Sequence, residues 1–226
     1  RDLVRSRGLG DVYKRQPVRQ GLLNHTISRE EAIRSFGLDP QKKTILIIGG
    51  SLGARTINNC VMQGLEKIKN SGVQFIWQTG KFYINEAKAC VAQAGNLPML
   101  YTTDFISDMA AAYSAADLVI SRAGAGSISE FCLLQKPVIL VPSPNVAEDH
   151  QTKNALALVN KEAALYVKDS EATQKLLDLA IATVGQADTL TKLSTNIAKL
   201  AFKDSANVIA NEVYKLAVNY KKEHER

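Results

Sequence analysis

Long apolar runs are absent from this sequence. Runs such as Leu118–Ile120 and Val138–Val141 are far shorter than the roughly 18–20 residues of a membrane-spanning helix. We therefore predict no transmembrane helix. With 46% hydrophobic and 22% charged residues among 226, the composition is typical of a globular domain and excludes a disordered tail or a fibrous rod.

Cysteine and histidine are scarce and lack the spacing of a metal site. The cysteines are Cys60, Cys90 and Cys132, and the histidines are His25, His150 and His224. Because there is no Cys-x-x-Cys pair, neither a disulfide framework nor a zinc site is indicated, and a cytoplasmic, reducing location fits. The sequence also contains no Asp-x-Asp motif, and we expect no metal and no cofactor.

Net charge is small outside the first sixteen residues. The 28 basic and 22 acidic residues give +6, and residues 1–16 alone contribute five basic and two acidic residues, or +3. The remaining excess is too small for a nucleic-acid-binding surface, so we expect no nucleic-acid partner.

Residues 1–16 lack both a starting methionine and the periodicity of a helix or strand. They resemble the translation of an adapter sequence, and we interpret them as a foreign or disordered segment. The alternative is a basic arm. On the first interpretation, the native chain begins near Pro17 and the gene continues upstream.

From residue 28 onward, helical and strand patterns alternate. Ser28-x-x-Glu31 is typical of a capping box that opens a short helix ending at Gly37. Short, β-branched apolar runs predict strands at Thr44–Ile48, Val73–Gln78, Met99–Tyr101, Leu118–Ser121, Val138–Val141 and Ala164–Val167.

Helices are predicted between and after these strands, which are short, continuous and mainly apolar. The predicted helices cover Ala54–Ile68, Phe82–Ala94, Ser107–Ala115, Ser127–Leu134, Asp149–Asn160, Glu171–Val184, Leu190–Phe202 and Ala206–Tyr220. This alternation predicts an α/β fold, a doubly wound parallel sheet of the Rossmann-like type, in one domain over residues 17–226.

A glycine-rich loop, Gly49–Ala54, follows the first predicted strand and opens a helix. Glycines allow close approach of the backbone, and free N–H groups at a helix start suit a diphosphate, to which Ser51 can add a hydroxyl donor. The alternative is a tight strand-to-helix turn. A P-loop is excluded, because Phe75 and Phe82 occupy the positions where the motif around Gly80-Lys81 needs glycine and Ser/Thr.

A dinucleotide-binding fingerprint is also missing. That motif has the form Gly-x-Gly-x-x-Gly and requires an acidic residue at the end of the second strand, where this chain has Gln78. We therefore disfavour a dehydrogenase.

A second glycine-containing segment, Arg122–Glu130, follows the fourth predicted strand. Gly124 and Gly126 favour a backbone ledge next to a ligand, and Glu130 could accept hydrogen bonds from a ribose diol. The alternative is a capping box formed by Ser127 and Glu130.

A third polar segment lies at the start of the helix that follows Pro142. Gln151 and Asn154 are spaced to share one helix face. Amides both donate and accept, which suits sugar hydroxyls, although a solvated first turn is the alternative.

In this order, the segments resemble the C-terminal half of the MurG family, bacterial N-acetylglucosaminyltransferases that convert lipid I into lipid II in peptidoglycan synthesis. The matching segments are Pro17–Arg19, Gly49–Ala54, Phe105–Met109, Arg122–Glu130 and Asp149–Ala155. Each motif is weak alone, but five in register over residues 17–220 are specific.

The resemblance implies one half of a two-domain GT-B glycosyltransferase, the half that binds UDP-N-acetylglucosamine. The implied binding residues are Arg19, Ser51, Ile106, Ala125, Gly126, Ser127, Ile128, Ser129, Glu130, Gln151 and Asn154, with Gly49, Gly50 and Gly53 in the phosphate loop. In this family pattern Arg19 contacts the uridine diphosphate, the backbone of Ile106 binds uracil and Glu130 binds the ribose.

The family's N-terminal acceptor domain has no counterpart in this chain, and the catalytic base is expected there. The resemblance implies that the complete protein acts on lipid I at the cytoplasmic face of the bacterial inner membrane, in peripheral contact with it. It would thereby serve cell wall biogenesis, cell shape and cell division. We expect residues 17–226 alone to bind donor weakly and to transfer nothing.

Two further functions stay open from the sequence. One is a UDP-N-acetylglucosamine 2-epimerase, which is disfavoured because amides rather than carboxylates stand at Gln151 and Asn154. The other is a non-catalytic nucleotide-sugar-binding subunit that completes its site with a partner chain.

Overall fold

The computed structural model describes residues 22, 27–95, 97–145 and 149–201. Residues 1–16, Arg19 and the predicted helix Ala206–Tyr220 lie outside these residues. Within them, the predicted parallel α/β sheet is confirmed.

Six parallel strands form one sheet in the order β3-β2-β1-β4-β5-β6. The strands are β1 Thr44–Ile48, β2 Gln74–Gln78, β3 Leu100–Thr103, β4 Leu118–Ser121, β5 Val138–Leu140 and β6 Leu165–Tyr166. The strand order reverses between β1 and β4. In such sheets the crevice at this reversal, outside the carboxyl ends of the strands, is where ligands bind.

Nine α-helices and a short 3₁₀ helix precede, connect or follow the strands in the described residues. They are α1 Arg29–Ser35, α2 Arg55–Gln63, α3 Leu65–Asn70, α4 Ile84–Gln93, α5 Met109–Ala115, α6 Ala125–Leu133, α7 His150–Val159, the 3₁₀ helix Asp169–Glu171, α8 Ala172–Val184 and α9 Ala187–Ala198. The single helix predicted over Ala54–Ile68 is wrong in one respect, because it is divided at Gly64, which ends α2.

The first helix begins as its sequence predicts. The Ser28 hydroxyl accepts a hydrogen bond from the Glu31 backbone N–H at 3.2 Å, and the Ser28 backbone N–H donates to Glu31 Oε2 at 3.1 Å. This confirms the capping box. Gly37, at φ +70°, follows the end of α1.

The core has two halves, one on each face of the sheet. On β1, Ile45 and Ile47 face one half, and Leu46 and Ile48 face the other. All five β1 residues are buried, which explains why Ile45–Ile48 are apolar at consecutive rather than alternate positions.

The loops after β1 and β2 are in close contact. Gly53 has φ +89° and Gly80 has φ +78°. A Cβ on Gly53 would overlap the Thr79 carbonyl oxygen, and one on Gly80 would overlap the Gly53 backbone. Because only glycine fits at both positions, this contact fixes the glycine-rich loop against its neighbour.

We expect Gly53→Ala to lower the free energy of unfolding by at least about 3 kcal/mol, since it combines backbone strain with steric overlap. Gly72→Ala is the matched control, because Gly72 has φ +72° but open space around its Cβ position; it should cost only about 1–2 kcal/mol. Urea unfolding followed by circular dichroism measures both. Equal losses of unfolding free energy in the two variants would contradict the close contact between the loops after β1 and β2.

Lys136 lies just before β5, at the amino edge of the sheet, opposite the carboxyl edge where the loops after β1 and β2 lie. Its Nζ donates to the Ala116 carbonyl oxygen at 3.1 Å. Burial lowers the pKa of Lys136 from 10.5 to about 8, against the opposing effect of the Asp117 carboxylate. Protonated Lys136 therefore destabilises the fold.

Stability should consequently rise with pH. Between pH 8 and 10.5 the unfolded lysine stays protonated while the folded one loses its proton, so unfolding binds a proton. After allowance for solvent screening, we expect a gain on the order of 1–2 kcal/mol over this interval relative to Lys136→Met. Parallel pH–stability curves for the two proteins, measured by urea unfolding, would contradict this pKa.

Candidate functional site

Two adjoining pockets open at the carboxyl edge of the sheet. Their volumes are about 650 Å³ and 390 Å³, and they share Gly49, Gly50, Ser51 and Arg122. The loops after β1 and β4 thus separate and line both pockets, at the reversal in strand order. Together the pockets form one cleft.

The glycine-rich loop runs from β1 into α2 along the floor of this cleft. Gly50 has φ +84°, and its carbonyl accepts from the Gly53 N–H at 3.1 Å, which closes a tight turn. Ala54 caps α2 without any side-chain hydrogen bond. The first N–H groups of α2 are therefore left for an anion at the place where the sequence predicts a diphosphate.

Gln78, at the end of β2, joins the loops on either side of it. Its Nε2 donates to the Gly50 carbonyl at 3.3 Å, and its Oε1 accepts from the Ile106 backbone N–H at 3.0 Å. In the sequence, Gln78 is informative only as the missing acidic residue of a dinucleotide site, and no local pattern signals this contact. The backbone N–H of Ile106, a predicted uracil contact, is therefore already bonded to protein.

The segment after β4 starts α6, but not in the way a capping box predicts. Gly124 is the residue before the helix, so Ser127 lies inside the first turn, and the interpretation of Ser127 and Glu130 as a capping box is wrong. Neither Gly124 nor Gly126 has a positive φ, and a Cβ on either would meet nothing within 4 Å. These glycines leave space beside the helix start rather than relieve strain.

The other predicted residues of this ledge divide between the core and the cleft. Ile128 is fully buried in the core, and the Ser129 hydroxyl donates to the Ala125 carbonyl at 3.0 Å. Ser127 and Glu130 line the smaller pocket. Glu130 is only 6% exposed, and its Oε2 accepts from the Tyr113 hydroxyl at 2.8 Å.

Gln151 and Asn154, at the start of α7, both hold the turn after β4. Gln151 Oε1 accepts from the backbone N–H groups of Ala123 at 3.2 Å and Ser143 at 2.9 Å. Asn154 is buried, and its Nδ2 donates to the Ala123 carbonyl at 3.2 Å.

These contacts change the role that Gln151 can have. Because two N–H groups fix the oxygen end of its amide, Gln151, which lines the larger pocket, is oriented to offer its Nε2 donor to a ligand.

Arg122 and Asp169 form an ion pair at the wall of the larger pocket, and no sequence motif predicts it. Arg122 Nη1 donates to Asp169 Oδ1 and to the carbonyls of Val141 at 3.0 Å and Pro142 at 3.2 Å. Asp169 Oδ2 accepts from the Thr56 hydroxyl at 2.9 Å. The pair joins the loops after β4, β5 and β6 to the start of α2. No local motif signals it, because Arg122 and Asp169 lie 47 residues apart.

The described ranges show no metal-binding cluster, no disulfide and no membrane-spanning helix. No group of three His, Cys, Asp or Glu side chains there is arranged to hold a metal ion. The three cysteines are unpaired. Burial raises the pKa of the Cys132 thiol to about 12, and burial also raises the pKa of the Cys60 thiol above its ordinary value. In the same ranges, no helix has both the length and the apolar character of a membrane span.

A family model for the glycosyltransferase family 28 C-terminal domain matches residues 44–212. The chain belongs to this family. The match covers every strand of the sheet and the residues that line both pockets, so the cleft lies within the matched domain.

Curated relatives extend the similarity. The chain is 81% identical over 210 residues to the UDP-N-acetylglucosamine–N-acetylmuramyl-(pentapeptide) pyrophosphoryl-undecaprenol N-acetylglucosamine transferase of Phocaeicola vulgatus, covering 93% of this chain and 56% of the relative. It is 69% identical to the enzyme of the same name from Bacteroides fragilis, over 89% of this chain and 53% of that one. The chain therefore spans about half the length of these relatives.

Solved structures agree on the fold. The crystal structure of Acinetobacter baumannii MurG matches with a TM-score of 0.70 and 29% identity, over 86% of this chain and 55% of that one. A UDP-N-acetylglucosamine 2-epimerase matches with a TM-score of 0.54 at 14% identity, over 87% of this chain and 46% of that one. The second likeness shows the fold alone. The prediction of a GT-B, Rossmann-like half is confirmed by the family and the fold together.

We expect Asp169→Ala to lower the free energy of unfolding by about 1–3 kcal/mol, because it leaves the half-buried Arg122 guanidinium without its counter-charge. Asp178→Ala is the control, since that carboxylate pairs with Lys67 but is 61% exposed; its loss should stay below about 1 kcal/mol. Urea unfolding at neutral pH compares the variants, and an equal effect would contradict a structural role for the Arg122–Asp169 pair.

Proposed function

We propose that this chain is the donor-binding half of a hexosyltransferase that transfers N-acetylglucosamine from UDP-N-acetylglucosamine to lipid I, giving lipid II for peptidoglycan. The observation that carries the proposal is the 81% identity, over 93% of the chain, to a protein named as that transferase. The acceptor would bind through the half of the relatives that this chain does not match. No observation favours the epimerase or the non-catalytic subunit over this function.

The geometry of the cleft suits a nucleoside diphosphate sugar. The first N–H groups of α2, with the hydroxyl of Ser51, would bind the diphosphate, and Glu130 in the smaller pocket would accept hydrogen bonds from the ribose. Ile106 would contact the base, and Arg19 would approach the diphosphate. Gln151 would donate to the sugar from the wall of the larger pocket.

Leaving-group stabilisation is the chemical contribution of this half. As the glycosidic bond to the diphosphate breaks, negative charge grows on the departing UDP. The N-terminus of α2 would stabilise this charge with its dipole and its uncapped N–H groups. From the Ala125–Glu130 ledge, Ser127 and Glu130 would lie beside the nucleotide in the smaller pocket. The base that deprotonates the acceptor hydroxyl would come from the other half.

The cellular location proposed for the complete protein follows from its proposed acceptor, lipid I. Lipid I is held in a membrane by its undecaprenyl chain, so we propose that the complete protein works at the cytoplasmic face of the bacterial inner membrane. Contact with that surface would be peripheral and would be made by the acceptor half.

Calorimetric titration of the 226-residue chain tests donor binding. We expect saturable binding of UDP-N-acetylglucosamine in preference to UDP-glucose and NAD, with no dependence on Mg²⁺. Glu130→Ala should weaken it by about ten- to a hundredfold, because hydrogen bonds to a buried charged group are lost. Glu66→Ala, on the exposed surface of α3, is the control and should bind as the wild type does. Equal binding of NAD, or no effect of Glu130→Ala, would contradict the proposal.

The same chain should show no transferase activity by itself, since the acceptor site and the base would belong to the other half. The measurement is lipid II formation from lipid I and radiolabelled donor. Turnover by the purified chain would contradict the proposal that the acceptor site and the base lie in the other half.

A further inference from the structure

Tyr113 is a buried tyrosine at the wall of the smaller pocket. It lies on α5, is only 2% exposed, and its hydroxyl donates to Glu130 Oε2 at 2.8 Å. A buried phenol needs a hydrogen-bond partner, and a carboxylate is a strong one. The bond therefore ties α5 to α6 inside the pocket.

The ring of Tyr113 is held by packing as well. It meets Phe131, the neighbour of Glu130, edge to face, with ring centroids 6.0 Å apart and planes at 81°. Phe131 is fully buried. The hydroxyl thus approaches Glu130 from a ring whose position is set by the core.

The start of α5 is fixed near the proposed base contact. The Asp108 side chain accepts from the Ala111 N–H at 2.9 Å, which caps the helix two residues after Ile106. Tyr113 therefore connects the segment that would contact uracil with the carboxylate that would bind the ribose.

We propose that Tyr113 is a positioning residue that holds the Glu130 carboxylate ready for the ribose diol. This inference rests on the proposed nucleotide-sugar function. A glutamate side chain has several rotatable bonds, and fixing it on binding costs free energy. Because the Tyr113 hydroxyl fixes one carboxylate oxygen beforehand, the ligand meets an acceptor that is already oriented.

The test compares two ligands that differ only in the diol, UDP and 2′,3′-dideoxy-UDP, by calorimetric titration of the 226-residue chain. Tyr113→Phe keeps the ring on Phe131 and removes the hydroxyl. We expect it to weaken UDP binding about three- to tenfold, the range for one lost hydrogen bond, and to leave dideoxy-UDP binding unchanged.

Tyr101→Phe is the matched control. Tyr101 also packs edge to face, on Phe36 with centroids 5.1 Å apart, and does not line either pocket. It should change neither affinity. A second measurement uses the Glu130→Ala background, where Tyr113→Phe should cause no further loss, since the group it positions is gone.

Four results would overturn the inference. They are unchanged UDP binding by Tyr113→Phe, an equal loss for both nucleotides, a further loss in the Glu130→Ala background, and a Phe variant that fails to fold, which would give the hydroxyl a purely structural role. Failure of the proposed function is distinguishable, because the folded wild-type chain would then bind neither UDP nor UDP-N-acetylglucosamine.

Discussion

The cleft depends on one constraint, that irregular loops at the carboxyl edge of the sheet keep fixed distances from one another. These loops run beyond the ends of the strands, where the regular backbone ladder stops. A few backbone hydrogen bonds, such as that from the Gly80 N–H to the Asp104 carbonyl at 3.0 Å, continue between them. Side-chain amides and one ion pair add further links. Gln78 joins Gly50 to Ile106, and Arg122 joins the ends of β4 and β5 to Asp169. These bonds link loops that have no regular secondary structure, and they satisfy partly buried polar groups at the same time.

This arrangement also shapes the charge of the cleft. Arg122 points into both pockets but is already paired with Asp169, so it adds little net positive charge. The favourable field for an anion comes mainly from the uncapped start of α2, with Arg55 at its first turn. On the proposed function, a diphosphate held by backbone N–H groups would be bound without a strong excess of positive charge, which would suit a leaving group that is released after transfer.

The fold was predictable from local pattern, and the site only in part. Apolar, β-branched strands such as Thr44–Ile48 and Leu118–Ser121 match the structure residue for residue, because burial on both faces leaves a continuous apolar signal. The glycine-rich loop Gly49–Ala54 was also recognisable from the local sequence, because its glycines directly follow a predicted strand. Arg122 and Asp169 are brought together by topology and carry no motif. The alternative interpretation of Ser127 and Glu130 as a capping box is wrong, because the helix begins at Ala125 and the Glu130 carboxylate bonds to Tyr113.

The most direct test of the central claim, that both pockets form one nucleotide-sugar site, is hydrogen–deuterium exchange of the chain with and without UDP-N-acetylglucosamine. We expect slower exchange in residues 49–57, 105–109 and 122–130, which line or adjoin the cleft. Exchange should be unchanged at residues 187–195, on the opposite edge of the sheet. Protection confined to that opposite edge, or no protection at saturating ligand, would contradict the account.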